Sequence, residues 1–489
     1  MTTSRFLARL PSRPQLLATA CTALLLSGCA NFQGIAPEAQ MKNLSAQNSL
    51  QGNANWPDQQ WIRQIGGDKL QALIELAFSD NPGIQSAATR IASARAMQEV
   101  AHANTLPTVS GSLEATYEKF TTNGLIPPPL AGNYETDNEY TIGASYELDF
   151  WGKHKAEMRA AMSAEQIATA ERESVKLVLA NAIARSWVQL NRQYQQLALS
   201  EQQLALREKI NQLSAQRLKA GLDNRTEIQQ NIVTDTSIRN DITSWKEAIA
   251  LTRNQIAALA GQTPDYAAKI PVPELHLHPS AELPANLPLE LLSRKPEIVA
   301  ARWRVEATLS EIDVAKTQFY PNVNLTAFVG LSSLGMDKVL RSDSGTWGAG
   351  PAIHFPIFEG GRLRANLKNK VADNEAAIYS YNQSILNAAH DVANQLQTLK
   401  TSRTLISQQE HAEAAAKNVL NLARTRYQAG TSSQLPVLAA ESAVLIQKKL
   451  GTDLLNKQAD AQINLIKALG GGYQADQAAA LPLSSDKAQ

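Results

Sequence analysis

Few side chains in this sequence of 489 residues have the types and spacing of a catalytic or metal-binding site. His276 and His278 stand two positions apart, which would place both rings on one face of a strand, where imidazoles can bind a metal ion. Their segment is rich in proline and lacks nearby cysteine, which favours a connector over a metal site. No Walker-type phosphate loop, nucleophile elbow or cysteine cluster occurs. We therefore expect no enzyme activity, no metal and no cofactor.

The charge balance argues against a nucleic-acid-binding protein. Lysine and arginine number 46 against 45 aspartate and glutamate residues, so the chain has no basic excess for binding nucleic acid. Apolar residues make up 44%, and many of them are alanine and leucine, as in helical bundles. The composition thus predicts a largely helical protein with a sizeable core.

Residues 1–28 are predicted to form a secretory signal, because arginines without any acidic residue precede the apolar run Leu16 to Leu26. The run ends in Leu26-Ser27-Gly28-Cys29, which resembles the lipobox of bacterial lipoproteins. That resemblance implies cleavage before Cys29 and attachment of lipid to this residue. Ala30 follows, which in such lipoproteins is compatible with passage to the outer membrane. The alternative is an ordinary secretory signal followed by an unmodified cysteine.

Two long helical patterns must position any site in the rest of the chain. Lys153 to Ala220 and Arg362 to Ala429 contain no proline, and their apolar residues recur at helical spacing. At about 1.5 Å of rise per residue, each pattern predicts a helix roughly 100 Å long. Helices of this length predict a protein that acts over a distance.

The order of motifs occurs twice. Tyr320-Pro321 answers Leu106-Pro107, and Phe358-Glu359-Gly360 answers Phe150-Trp151-Gly152, each roughly 210 positions later. This regular offset predicts a tandem duplication, with a helix, a strand pair, a long helix and a return helix in each half. The predicted organisation is a signal peptide (1–28), a lipid-anchored tether (29–60), a first repeat (61–261), a proline-rich equatorial connector (262–294), a second repeat (295–472) and a flexible C-terminal tail (473–489).

Each half contributes two strands of alternating polarity, the second strand of the first half being predicted over Tyr140 to Phe150, so we expect four strands per subunit. After the signal, no segment reaches the roughly 18 consecutive apolar residues of a membrane-spanning helix. A membrane barrel needs about eight strands, so a barrel would require several copies of the chain, and three copies would supply twelve strands. Aromatic residues cluster at the strands, as in the interfacial girdles of barrels, although strand propensity explains many of them.

Both long helical patterns end in a similar sequence, which we call the helix tips. Glycine follows basic residues there, as expected where a left-handed residue caps a helix and positive charge complements the helix dipole. Helix capping alone is enough to explain these residues. The alternative is that the two tips also form a docking surface for a partner protein. The residues concerned are Arg217, Leu218 and Gly221 in the first tip, and Arg426, Tyr427 and Gly430 in the second.

Several motifs together resemble one family. They are Leu283-Pro284, Arg294 to Ala301, Val314 to Lys316 and Phe319 to Thr326. Their order resembles the TolC-like outer membrane factors of tripartite efflux systems, and the lipobox matches the lipoprotein, NodT-type branch. The resemblance implies a homotrimer that forms a long α-helical barrel and a transmembrane β-barrel, so the expected fold is mainly α with a small β part. It also implies a periplasmic adaptor protein and an inner membrane pump of the RND type as partners.

The same resemblance implies a periplasmic gate after the second tip. Leu435 matches an apolar gate position, but Ala439 stands where family members commonly have an aspartate. Glu441 is the nearest acidic residue, and Asp223 follows the first tip. Ordinary solvation of a helix is an alternative explanation for Glu441.

We therefore expect an outer membrane channel that gives small toxic molecules a passive exit from a Gram-negative bacterium, anchored by lipid and extending into the periplasm. A periplasmic coiled-coil adaptor lipoprotein without a pore is the main alternative. The paired strands in each half favour the channel. A cell-wall enzyme on a lipid tether is a third possibility, but the sequence offers no nucleophile or acid for it.

Overall fold

The computed structural model describes residues 32–42, 60–276, 292 and 294–473. The predicted signal, Cys29, the rest of the tether, His278 and Leu283-Pro284 lie outside this part of the chain, as does the tail beyond residue 473.

The first half of the described chain begins with two helices, α1 (Trp61–Asp80) and α2 (Pro82–Ala103). Strands β1 (Thr108–Lys119) and β2 (Tyr134–Glu147) follow. The long helix α3 (Lys153–Lys219) and the return helix α4 (Arg225–Leu259) complete the half. Helix α1 has a kink at Gly67, whose φ of 64° is not helical, so a short helical segment precedes the part from Asp68 to Phe78 that the sequence predicts as a helix.

The second half has the same order of elements. It consists of α5 (Pro296–Thr317), β3 (Asn322–Leu334), β4 (Gly345–His354), the long helix α6 (Arg362–Gln428) and α7 (Leu435–Ala468). Helices α3 and α6 each contain 67 residues. The prediction of a mainly helical chain with a small β part is confirmed. Among the helices of the described ranges, none combines the length and the apolar character needed to cross a membrane.

The four strands form one antiparallel sheet in the order β1-β2-β3-β4. The two hairpins are joined because β2 pairs with β3, a contact between the two halves of the chain. The register places Leu113, Tyr140 and Leu331 side by side on one face of the sheet, which we call the apolar face. Glu114 and Glu139 lie side by side on the opposite, polar face.

The chain divides into two compact units, and the first contains the sheet. It comprises residues 92–166 and 302–380 with the described N-terminal residues up to Gln40. Phe319 and Leu367 form part of its small apolar core, together with Ile35 from the N-terminal segment, which is only 7% exposed. The Phe32 ring meets the Phe319 ring edge-on at 5.7 Å. Residues 32–40 are therefore held against helices α5 and α6 by apolar contact.

The second unit contains the largest apolar core. Trp187 and Ile183 of α3 are fully buried there, and they pack with residues of α1, α4 and α7. Leu70, Ile256 and Ile463 are the fully buried contributions from these three helices. Helices from both sequence halves thus share this core.

Candidate functional site

The apolar face of the sheet is unusually exposed for hydrophobic residues. Leu113 is 82% exposed, Trp347 81% and Val109 71%. Isolated exposed hydrophobic residues are normal, but a contiguous patch indicates an interaction with protein or membrane. Leu113 and Val109 lie on β1 and Trp347 on β4. The exposed Ile142 of β2 and Val329 of β3 lie between them on the same face, so the patch crosses the whole sheet and suits contact with hydrocarbon.

The polar face carries carboxylates in adjacent pairs. Glu114 lies opposite Glu139, and Glu118 lies opposite Glu135. Like charges directly opposite one another destabilise a sheet unless water or counterions screen them. The same face also includes Asp137 and Glu147. This face is therefore suited to contact with water, whereas the apolar face is suited to contact with hydrocarbon.

The edges of the sheet are also open. Strands β1 and β4 stand at the two ends of the strand order, and every residue of β1 is exposed. An uncovered edge presents unpaired backbone N–H and C=O groups that can pair with another strand. The sheet thus has the geometry of one segment of a larger sheet.

A cavity of about 320 Å³ lies at the base of the sheet, and we call it the junction pocket. It is formed where β2 leads into α3, where α5 leads into β3 and where β4 leads into α6. Trp151 and Tyr320 line it with stacked rings, 4.6 Å between centroids and 15° between planes. The indole Nε1 of Trp151 donates to the Pro321 carbonyl at 2.7 Å, which fixes the orientation of the ring.

Charged groups of the junction pocket are mostly paired with one another. Lys153 Nζ donates to both carboxylate oxygens of Glu147, at 3.0 and 3.1 Å. Asn322 Nδ2 donates to Glu147 Oε1 at 3.1 Å. On the opposite wall, Arg362 pairs with Glu359 at 2.8 Å.

His154 lies beside this pocket and is only 5% exposed. Its Nδ1 is 3.1 Å from Glu157, and its Nε2 is 3.5 Å from Glu147. The imidazole thus sits between two carboxylates at the start of α3. Within the residues that the structure describes, no group of three or more His, Cys, Asp and Glu side chains is arranged to hold a metal ion.

The two helix tips share one capping geometry. At the first tip, Gly221 has a φ of 70°, its N–H donates to the Leu218 carbonyl, and the next N–H donates to the Arg217 carbonyl. At the second tip, Gly430 has a φ of 72° and its N–H donates to the Tyr427 carbonyl. Thr431 N–H donates to the Arg426 carbonyl, as in the first tip. Both are Schellman caps, which require a left-handed residue after the helix.

The tips differ in their side chains. Arg217 turns back to bind Asp223 at 3.1 Å, so the first tip is closed by an ion pair. Leu222 beside it is 67% exposed, and Tyr427 of the second tip is 45% exposed. An exposed apolar side chain within a charged turn offers each tip an anchor for a partner.

The remaining predicted gate residues lie near the start of α7. Leu435 packs against an apolar cluster that includes Leu206 of α3 and Leu438 of α7. Glu441 is half-buried and stands 3.9 Å from Arg424 of α6, the outer limit of an ion pair. Leu435 therefore contacts its own chain, and Glu441 faces a cation.

Sequence reasoning missed most of the junction pocket. The sequence places Trp151 and Tyr320 in repeat motifs and Asn322 in a family motif, but it does not predict that these residues meet in one pocket or that Asp149 joins them. A usable signal existed, because Trp151 and Tyr320 each belong to a motif that recurs in the other half of the chain. Their contact depends on strand pairing across the two halves, which the repeat alone does not specify.

Comparison with known proteins gives a consistent match along the chain. A sequence model described as "Outer membrane efflux protein" matches residues 73–262 and 287–471. The fusaric acid resistance protein FusA of Burkholderia cepacia is 36% identical over 360 residues, which cover 72% of this chain and 68% of that protein. The multidrug resistance outer membrane protein MdtP of Escherichia coli K12 is 30% identical, with 95% of this chain and 97% of that protein covered. The crystal structure of the outer membrane protein VceC of Vibrio cholerae is 30% identical, with a TM-score of 0.77 and coverage of 86% of this chain and 100% of that one.

Proposed function

The chain belongs to the outer membrane efflux protein family, and from this premise we propose that three copies form one passive exit duct across the outer membrane. The observation that carries the proposal is the four-stranded sheet with one apolar face, one polar and acidic face and two open edges. Closing such sheets into a ring would turn the apolar faces to lipid and the polar faces to a water-filled passage. It would also pair the exposed edges.

The number of copies follows from the number of strands. One four-stranded sheet is too small for a membrane barrel, for which about eight strands are the minimum. Two copies would give eight strands, whose interior is about filled by side chains. Three copies would give twelve strands and leave an opening. A trimer is thus the smallest assembly that provides a passage.

The cargo we propose is a class of small toxic molecules, including drugs. Relatives named for multidrug resistance and for resistance to fusaric acid support this class. The acidic polar face supports it further, because carboxylates along the passage would favour cations over anions.

Two partners complete the proposed system. A periplasmic adaptor would dock on the helix tips, where Leu222 and Tyr427 are exposed, and an inner membrane pump of the RND type would supply the energy. The duct itself would carry out no catalytic step. Leu435, Glu441 and Asp223 stay our proposed gate residues, and the ion pairs of the two acidic residues with Arg424 and Arg217 would stabilise the turns around the gate.

The membrane anchor is also part of the proposal. Lipid on Cys29 would tie the N-terminus to the outer membrane. Residues 32–40 follow closely and pack against helices α5 and α6, so the attachment point would lie within a few residues of the folded unit. Family membership argues against the adaptor lipoprotein considered above.

Reconstitution tests the proposal. The purified full chain, added to a planar bilayer, should open channels that prefer potassium over chloride, and its mass in detergent should equal three copies. A monomer or dimer, or a trimer that inserts without conducting, would contradict the duct. Adaptor binding is tested separately: Leu222→Asp should weaken the capture of a periplasmic adaptor protein in a pull-down relative to wild-type protein, and equal capture would contradict docking at this tip.

A further inference from the structure

We propose that the junction pocket binds the ammonium group of aromatic amines, such as protonated arylalkylamines, on the water-facing side of the sheet. The proposal rests on the proposed function, because such amines would be cargo that binds transiently in the pocket on its way through the duct. The binding itself follows from the geometry of one unit of the chain.

The pocket opens on the polar face. Asn322 pairs with His354 across β3 and β4, and Glu147 pairs with Asn324 across β2 and β3. All four therefore point to the face that carries Glu114 and Glu139, and three of them line the pocket. A solute in the water-filled passage could reach the pocket without crossing the sheet.

Two buried oxygen atoms of the pocket lack hydrogen-bond donors. Among the described residues, Asp149 Oδ1 and Asn322 Oδ1 are buried without a partner. The other oxygen of Asp149 accepts from the backbone N–H of Lys155 at 3.1 Å. The amide nitrogen of Asn322 donates to Glu147 Oε1. Both unpartnered oxygens are covered by the surrounding protein, and buried acceptors without donors are costly, so a small shift of these side chains that lets a ligand donate hydrogen bonds to them would be favourable. An ammonium group offers three donors.

The charge of the pocket selects a cation. Three carboxylates line it, those of Glu147, Asp149 and Glu359, against the two cations Lys153 and Arg362. Lys153 is paired with Glu147 and Arg362 with Glu359, which leaves the Asp149 carboxylate as the excess negative charge. A bound ammonium group would balance it.

The aromatic pair selects the rest of the ligand. Trp151 and Tyr320 stack face to face, so the flat wall left for a ligand is the outer face of either ring, and Trp151 is 45% exposed. Such a wall attracts cations through the ring faces and packs against another ring. The volume of about 320 Å³ is at the lower end for ligand pockets, which suits a single-ring amine.

Calorimetry on the purified full-length trimer tests the site, with 2-phenylethylammonium chloride as the probe. Two comparison ligands separate the contributions: 2-phenylethanol keeps the ring without the charge, and ethylammonium keeps the charge without the ring. We expect both to bind at least about tenfold more weakly than the probe, since each lacks one of the two contacts. This comparison uses wild-type protein and does not depend on any variant folding.

Variants then locate the site. Asp149→Asn removes the excess charge yet keeps an acceptor for Lys155, and it should weaken the probe at least about tenfold. Tyr320→Leu should weaken the probe more than it weakens ethylammonium, because the probe loses a ring contact in addition to part of the attraction for its charge. Glu139→Gln is the matched control, because it removes a carboxylate from the same face outside the pocket, and it should change affinity less than about twofold.

Equal losses in Asp149→Asn and Glu139→Gln would overturn the inference, since the general field of the polar face would then explain binding. Displacement of the probe by magnesium at equal concentration would also overturn it, in favour of a metal site. Channel recordings on the same preparation separate the two proposals. A conducting trimer that does not bind the probe refutes the pocket alone, and a preparation that binds the probe without conducting refutes the duct.

Discussion

The apolar face of the sheet gives the sharpest test of the fold as a membrane protein. Leu113 lies near the middle of β1, is 82% exposed, and neighbours Tyr140 on that face. Leu113→Arg would place a guanidinium near the bilayer midplane if this face meets lipid. Measured costs for arginine at such positions are about 2–4 kcal/mol. A cost of this size lowers the equilibrium constant for folding of the sheet by about 30-fold to nearly 1,000-fold.

Glu114→Arg is the matched control. It places the same side chain one position further along, on the polar face and opposite Glu139. The new opposite-charge pair should be neutral or stabilising by about 0.2–1 kcal/mol. Two arginines at neighbouring positions should therefore have opposite effects.

The assay is denaturant unfolding of the protein reconstituted in vesicles, read by tryptophan fluorescence. Leu113→Arg should shift the midpoint to lower denaturant, whereas Glu114→Arg should not. If both variants are equally stable, or if Glu114→Arg is the weaker one, the assignment of the two faces is wrong.

Three further predictions concern the tips, the anchor and the N-terminal segment. Gly221→Ala and Gly430→Ala should each cost about 1–2 kcal/mol in unfolding free energy, because alanine resists the left-handed cap; equal stability to wild type would refute the cap. Cys29→Ser should abolish metabolic labelling with palmitate while the trimer persists, and unchanged labelling would disprove the anchor. Ile35→Ala should cost about 1–3 kcal/mol and expose residues 32–40 to protease, whereas Glu38→Ala, at an exposed site, should not.

Much of the helical architecture could be predicted from local patterns. The long helix α6 was predicted to end at Ala429 and ends at Gln428, because helical periodicity and the following glycine are both local signals. The strand boundaries were predicted less accurately. The second strand was predicted to begin at Tyr140 and begins at Tyr134, since the acidic residues at its start do not resemble a strand until their cross-strand partners are known.

The candidate site was predicted less completely. The helix tips were identified because their caps are short motifs within one chain segment. The junction pocket was not identified, because its aromatic pair joins Trp151 to Tyr320 of the other half. The packing of Ile35 was not predicted either, because its contacts are with residues of α5 and α6 that are distant in the sequence. The polar residues around Ile35 in the sequence indicate only an extended segment.

The helices, their caps and the repeated order of elements can be predicted from the amino-acid sequence, because periodicity and capping act between residues a few positions apart. The pairing of β2 with β3, which places Ser332 on the same face as Glu139 and Glu114, is set by the tertiary structure. Helices α3, α4 and α5 separate those two strands, so no local preference specifies their register. Their register is selected by the burial and pairing of whole faces, which gathers acidic side chains on one side of the sheet and apolar side chains on the other.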